Sequence, residues 1–86
     1  MTHSFTIRLN DEISSVLKRV ESGITGNGGR FEGDLECGTF AGKSVLGFIE
    51  GRYHSLSDRE IRITITDKPF IVPYRTIESE LRKYFA

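Results

Sequence analysis

Glu32, Asp34 and Glu36 stand at every second residue and form the densest set of metal-like ligands in the chain. On an extended strand that spacing puts three carboxylates on one face, and hard cations take clustered oxygens. A calcium loop also needs backbone carbonyls and a fixed ligand spacing, which are absent. The expected strand register sets Arg52 beside Glu32 and leaves only Glu50 to reinforce Asp34. A solvated sheet face is therefore the expected role, and no metal ligand set is assigned. The other reactive types are scattered. A nucleophile needs a base within hydrogen-bond reach. Cys37 is expected on an inner sheet face, where a thiol acts as a small apolar group. His54 falls at a strand end and His3 near the N-terminus, with no orienting acid assignable by spacing. Ser57-Asp58 sits where a turn wants such residues. The run Thr25-Gly26-Asn27-Gly28-Gly29 leaves a helix and enters a strand, whereas phosphate-cradling loops lead from strand into helix. No catalytic residue and no cofactor is assigned, and a non-enzymatic role is expected. A cleft joining Cys37 to His54 would revise that reading.

The elements that hold these residues follow from periodicity. Phe5, Ile7 and Leu9 alternate with Thr6 and Arg8, as in a half-buried strand. Asn10 reads as a helix N-cap, with Asp11 and Glu12 in the first turn. Ile13, Val16, Leu17, Val20 and Ile24 make one helical stripe, Lys18 and Arg19 fall near its end, and Gly23 reads as the left-handed cap. Three strands follow. Around a turn at Ala41-Gly42-Lys43, Phe31 is expected opposite Tyr53, Leu35 opposite Ile49, and Thr39 opposite Val45. Around a turn near Ser55-Leu56-Ser57-Asp58, Tyr53 is expected opposite Ile61 and Ile49 opposite Ile65. Both registers place the same middle-strand residues on one face, which supports a meander. Pro69 ends the third strand and Pro73 opens a last helix. Its stripe is Tyr74, Ile77, Leu81, Tyr84 and Phe85. The expected fold is α+β, a single domain over 1–86 in the order β-α-β-β-β-α, with both helices on one face of an antiparallel sheet.

Two surfaces stand out on that scaffold. Gly33, Gly47 and Gly51 interrupt the isoleucines on the inner face, which predicts either helices packed onto the gaps or, with Tyr53, a hollow for an apolar ligand. On the outer face, Leu46 and Phe48 lie adjacent and call for a cover. Eighty-six residues bury only a modest core, so self-association as a homodimer through Leu46 and Phe48 is the favoured expectation.

Composition narrows the partners. Twelve basic and twelve acidic side chains cancel. Residues 29–51 hold four acids against two bases, and residues 52–86 seven bases against five acids. That asymmetry is too small to imply a polyanionic partner. The element order matches that of double-stranded-RNA-binding domains, which start their last helix with a lysine cluster. Here that position reads Pro73-Tyr74-Arg75-Thr76-Ile77-Glu78, so a nucleic-acid module is a lesser alternative. Cys37 is the only cysteine, so no internal disulfide forms. With no apolar run of membrane-spanning length and no signal-peptide pattern at Met-Thr-His-Ser-Phe, the cytoplasm is the expected compartment.

The C-terminal half, Gly51-Arg52-Tyr53 through Ile61-Arg62-Ile63-Thr64-Ile65-Thr66-Asp67-Lys68-Pro69-Phe70 and Ile77-Glu78-Ser79-Glu80-Leu81, resembles a group of small uncharacterised bacterial proteins. In these a Lys-Pro segment leads from a strand into an Ile-Glu-containing final helix. More distantly the chain is similar to the polyhydroxyalkanoic acid system proteins, through Phe31-Glu32-Gly33, a Gly-initiated strand and the Ile-Glu helix. The likeness covers about 55 residues, and the N-terminal third departs from that pattern. It implies association with a polymer granule or another hydrophobic surface. The residues themselves lead to a binding or assembly domain, with an unidentified protein or a small apolar ligand as partner.

Overall fold

Alternating Phe5, Ile7 and Leu9 produce the first strand, β1 (His3–Arg8), in a computed structural model that describes residues 3–44 and 46–85. It is followed by α1 (Ile13–Gly26), β2 (Arg30–Gly33), β3 (Cys37–Ser44), β4 (Gly47–Ser57), β5 (Glu60–Asp67) and α2 (Tyr74–Phe85). The strands form one antiparallel sheet in the order β1-β5-β4-β3-β2. The fold is α+β as expected, with a meander and two helices whose apolar stripes meet one sheet face. Val16, Leu17 and Val20 of α1 and Ile77, Leu81 and Phe85 of α2 pack with Ile7, Ile49, Tyr53, Ile61, Ile63 and Ile65 in one buried cluster. Each fully buried isoleucine contributes about 1.5–3 kcal/mol of transfer free energy.

The helix boundaries shift from expectation for tertiary reasons. Leu9 N–H donates to the Arg59 carbonyl at 2.7 Å, and Ile13 N–H donates to the Asp58 carbonyl at 3.1 Å. These bonds tie the segment before α1 to the β4–β5 turn, so the N-cap is Glu12 and not Asn10, and no acid lies in the first turn. At the other end the helix runs through Gly23 to Gly26. Gly23 is a contact residue rather than a cap, because a Cβ there would meet Tyr84 Cε1 of α2 at 3.1 Å. The Asn27 amide donates from Nδ2 to the Gly23 carbonyl at 2.9 Å and closes the terminus.

The largest difference lies in the meander. The segment expected to be its first strand is a hairpin of two, β2 and β3, so the full order is β-α-β-β-β-β-α. Asp34 makes the bend. Its Oδ1 accepts the N–H groups of Glu36 at 2.8 Å and Cys37 at 3.0 Å, and those bonds, the Cys37 bond first, hold its carboxyl below the ordinary range. The expected turn at Ala41-Gly42-Lys43 is continuous strand. β3 instead turns between Ser44 and Gly47, where Gly47 takes φ +113°, a region open to glycine. Gly38 therefore lies opposite Tyr53 and Gly42 opposite Ile49. Thr39 pairs with Arg52; its expected partner, Val45, lies outside the described residues. Cys37 is exposed on the outer side and Leu35 is exposed in the turn, both against expectation. Between β4 and β5, Tyr53 is opposite Ile63, two residues from the expected Ile61. A two-residue shift preserves faces, so Tyr53 and Ile49 still point to the core.

The inner glycines are closed by the protein's own rings. Tyr53 crosses Gly38 toward β2, where its ring stacks on Phe31 at 5.4 Å and its hydroxyl donates to the Asp34 carbonyl at 2.7 Å. A Cβ on Gly38 would lie 2.5 Å from Tyr53 Cε1 and 2.4 Å from the Glu32 carbonyl oxygen. Gly38→Ala is expected to destabilise the domain by about 1–3 kcal/mol, since backbone cannot yield as a side chain can. Gly26→Ala faces open space at the end of a helix and is expected to stabilise by roughly 0.5–1 kcal/mol. Urea titration of the two variants reads both signs.

Burial, followed by the nearby Asp34 carboxylate, pushes the Tyr53 hydroxyl from 10.0 up to about 12. The folded chain therefore keeps a proton that the unfolded chain releases. The resulting contribution to stability is intact below pH 10 and falls away as pH rises to about 12. Ultraviolet titration should show a late tyrosinate component that Tyr53→Phe removes.

Candidate functional site

The hollow expected over Gly33, Gly47 and Gly51 is filled. Tyr53 Oη would lie 2.6 Å from a Cβ on Gly33, Phe40 Cζ 2.6 Å from one on Gly51, and Pro69 Cγ 2.5 Å from one on Gly47. Aromatic rings and a proline close these gaps, rather than the helices alone. Tyr53 itself is a core residue with 2% exposure, so it lines no accessible hollow on the inner face.

An apolar groove opens further along the same layer, between the C-terminal ends of α1 and α2 and the strands β3 and β4. Its walls are Ile24 of α1, Phe40 and Ile49 of the sheet, and Leu81, Tyr84 and Phe85 of α2, with Gly42 in its base. The cavity measures about 90 Å³ and is open on one side. Helical spacing explains the α2 wall, since positions 77, 81, 84 and 85 share a face. Phe40 and Phe85 meet at 6.0 Å in a tilted pair and form the inner wall. Gly42 leaves the base low: a Cβ there would have only ordinary contacts, at 3.7 Å from Ile24 Cγ2 and from Gly29 Cα. Asn27, Lys43 and Glu80 supply the polar rim. Glu80 is spoken for by Lys83 at 3.8 Å, whereas Lys43 has no ion-pair partner among the described residues. Lys43 borders the groove from the sheet edge, since on β3 it follows Gly42 and stands opposite Phe48, on the alternate face.

The two residues expected to form an outer patch are separated. Leu46 packs against the core cluster, and Phe48 alone remains exposed, at 43%. The β3–β4 turn carries Leu46 inward, because β3 reaches Ser44 before the chain reverses. Other large apolar residues are more open: Phe70 is 94% and Ile71 84% exposed, at the tip of a turn closed by Val72 N–H donating to the Pro69 carbonyl at 3.1 Å. Flanking prolines made Lys68–Pro73 legible as a connector, but not as a prong carrying a bare aromatic ring.

Of the chemistry-bearing types, Cys37 and His54 are brought together. They are direct cross-strand partners on the outer face and share a shallow hollow with Arg52 and Arg62. The hollow that joins them holds no nucleophile–base pair, because among the described residues Cys37 Sγ and the His54 ring make no hydrogen bond with each other and no acid is hydrogen-bonded to His54. His3 is engaged elsewhere, donating from Nε2 to Glu78 Oε1 at 3.1 Å and stacking on Tyr74. That hydrogen bond first, and then Arg82, hold the Glu78 carboxyl below its ordinary value. Ser57 Oγ accepts from Arg59 N–H at 3.3 Å and serves the turn. Glu32, Asp34 and Glu36 do not share one strand face, since Asp34 caps the bend that follows β2. Arg52 lies beside Thr39, with Glu32 one strand further out. The first turn of α2 holds Arg75 as its one basic residue. No helix among the described residues is long and apolar enough to cross a membrane.

Comparison with protein-family models, with curated proteins and with solved structures gives no match.

Proposed function

We propose that the chain is a non-enzymatic binding domain that takes the end of an alkyl chain with an acidic head group, the chain entering the groove and the head resting on Lys43. The observation that carries this reading is the apolar groove between helices and sheet, open beside an unpaired lysine. Its apolar lining favours a hydrocarbon group, and small-molecule sites characteristically combine such linings with a few placed polar groups. A dry hollow of about 150 Å³ holds a benzene ring, so the smaller groove here accommodates a chain terminus and not a whole lipid. An apolar occupant is also what the likeness to polyhydroxyalkanoic acid system proteins implies.

Octanoate is a suitable probe. Saturable shifts of the Leu81 and Ile49 methyl signals are expected on titration. Gly42→Leu fills the base, keeps a strand-compatible residue and should abolish those shifts in a protein that still unfolds cooperatively. Lys43→Gln should weaken octanoate about two- to fivefold and leave octanol unchanged, because an exposed ion pair contributes about 0.2–1 kcal/mol. Equal octanoate binding by Gly42→Leu sinks the groove reading.

A second reading, self-association as a homodimer, is favoured by the exposure of Phe48, Phe70 and Ile71. Light scattering at several concentrations should then show a mass that rises with concentration in the wild type and not in Phe70→Ser/Ile71→Ser. A monomer throughout removes this reading.

A further inference from the structure

The sheet face turned away from the helices holds a second, polar constellation. Antiparallel pairing sets Thr39, Arg52, Thr64 and Ser4 in one row across β3, β4, β5 and β1, and Cys37, His54, Arg62 and Thr6 in the next. Directly opposed Cβ atoms on such a face lie about 4.5–5.5 Å apart and diagonal ones about 7–8 Å, within the reach of two arginines. Arg52 and Arg62 are diagonal neighbours on β4 and β5. Both line a hollow of about 380 Å³ together with Thr39, Thr64, His54 and Cys37.

No carboxylate among the described residues is within ion-pair distance of Arg52 or Arg62. Glu60 lies opposite Arg8, and Glu32 and Glu50 share a separate hollow with Arg30. Neither Arg52 nor Arg62 has an ion-pair or hydrogen-bond partner among the described residues. Arg52 and Arg62 thus line one hollow with their donors uncommitted, beside hydroxyls and an imidazole. Guanidinium forks match phosphate oxygens in a bidentate manner, and such charge-assisted bonds are the strong ones. Apart from the His54 imidazole, the two rows carry no aromatic side chain, so the face lacks the run of exposed Phe, Tyr or Trp rings by which sheet faces stack successive bases of single-stranded nucleic acid.

We infer that this outer face binds the phosphoryl group of a small ligand, with Arg52 and Arg62 as the anchoring pair and Thr39, Thr64 and His54 as supporting hydrogen-bond partners. The site lies on the opposite side of the sheet from the apolar groove and does not depend on it.

Pyrophosphate is the probe. Its titration into the intact chain should move the arginine Nε–Hε signals of Arg52 and Arg62 and the imidazole signals of His54 along one saturable curve. Arg52→Gln/Arg62→Gln should weaken that binding roughly tenfold or more while leaving the thermal midpoint close to that of the wild type. Cys37 gives an independent readout, because its thiol sits exposed within the same hollow. Saturating pyrophosphate should slow its carboxymethylation by iodoacetate severalfold in the wild type and leave the rate unchanged in the double variant. The inference is overturned if pyrophosphate produces no saturable shift up to about 10 mM, a range that already admits very weak sites. It is equally overturned if the double variant binds as well as the wild type, or if duplex RNA binds through Arg52 and Arg62 where pyrophosphate does not.

Discussion

Tyr53 lying across Gly38 is the contact on which the sheet depends. The ring starts on β4, passes over the β3 backbone where no side chain stands, stacks on Phe31 of β2 and hydrogen-bonds beyond it to the Asp34 carbonyl. One side chain therefore joins three strands and the bend between two of them. Ser55 reinforces this link: its N–H donates to the Glu36 carbonyl at 2.7 Å and its hydroxyl to the Leu35 carbonyl. A four-residue strand such as β2 has little pairing of its own, and a short edge strand needs such support to stay in register. Glycine weakens a strand in isolation, but here it provides the clearance that lets an aromatic ring replace the missing side chain.

The same exchange explains where the molecule is solid and where it is open. Phe40 covers Gly51 and Pro69 covers Gly47, so most of the inner face is closed by rings in contact with backbone. Gly42 is different, since no ring lies over it, and the apolar groove opens above it. The opposite face of the sheet has no covering layer. Most of its side chains are polar because they meet water, with Phe48 an exposed exception on β4, and register places Arg30 near Glu32 and Glu50, Arg8 opposite Glu60, and Arg52 diagonal to Arg62. A pair of like charges side by side is costly unless an anion or solvent satisfies it. One thin domain thus offers an apolar hollow on one side and a cationic one on the other.

Much of this architecture can be read from residue order, and the reasons are local. Alternation in β1, the heptad-like stripes of α1 and α2, and the breaks at Pro69 and Pro73 depend on neighbours a few positions apart. The inward orientation of Ile49 and Tyr53 survived a two-residue displacement between β4 and β5 because faces repeat with period two. The failures are non-local. Gly33, Asp34 and Gly38 look like weak strand residues until Tyr53 is placed over them, so residue spacing predicts extended chain at the β2–β3 bend and puts Cys37 on the inner face, whereas the fold exposes it on the outer one. Asn10 was a sound cap by type, but bonds from the distant Asp58–Arg59 turn delay the helix to Ile13.

Sequence alone determined the class of this domain, the number and stripes of its helices, and the middle-strand residues that face the core, because each rests on short-range periodicity. Tertiary structure decided what lies beside what. Which glycines are filled and which is left open, the meeting of Cys37 with His54, and the sharing of one hollow by Arg52 and Arg62 all depend on the cross-strand register. Between β3 and β4 that register is held by a tyrosine reaching over a glycine on the neighbouring strand, and between β4 and β5 it is shifted by irregularities at Glu50/Gly51 and Ser55/Ser57, features with no signature in the spacing of residues along the chain.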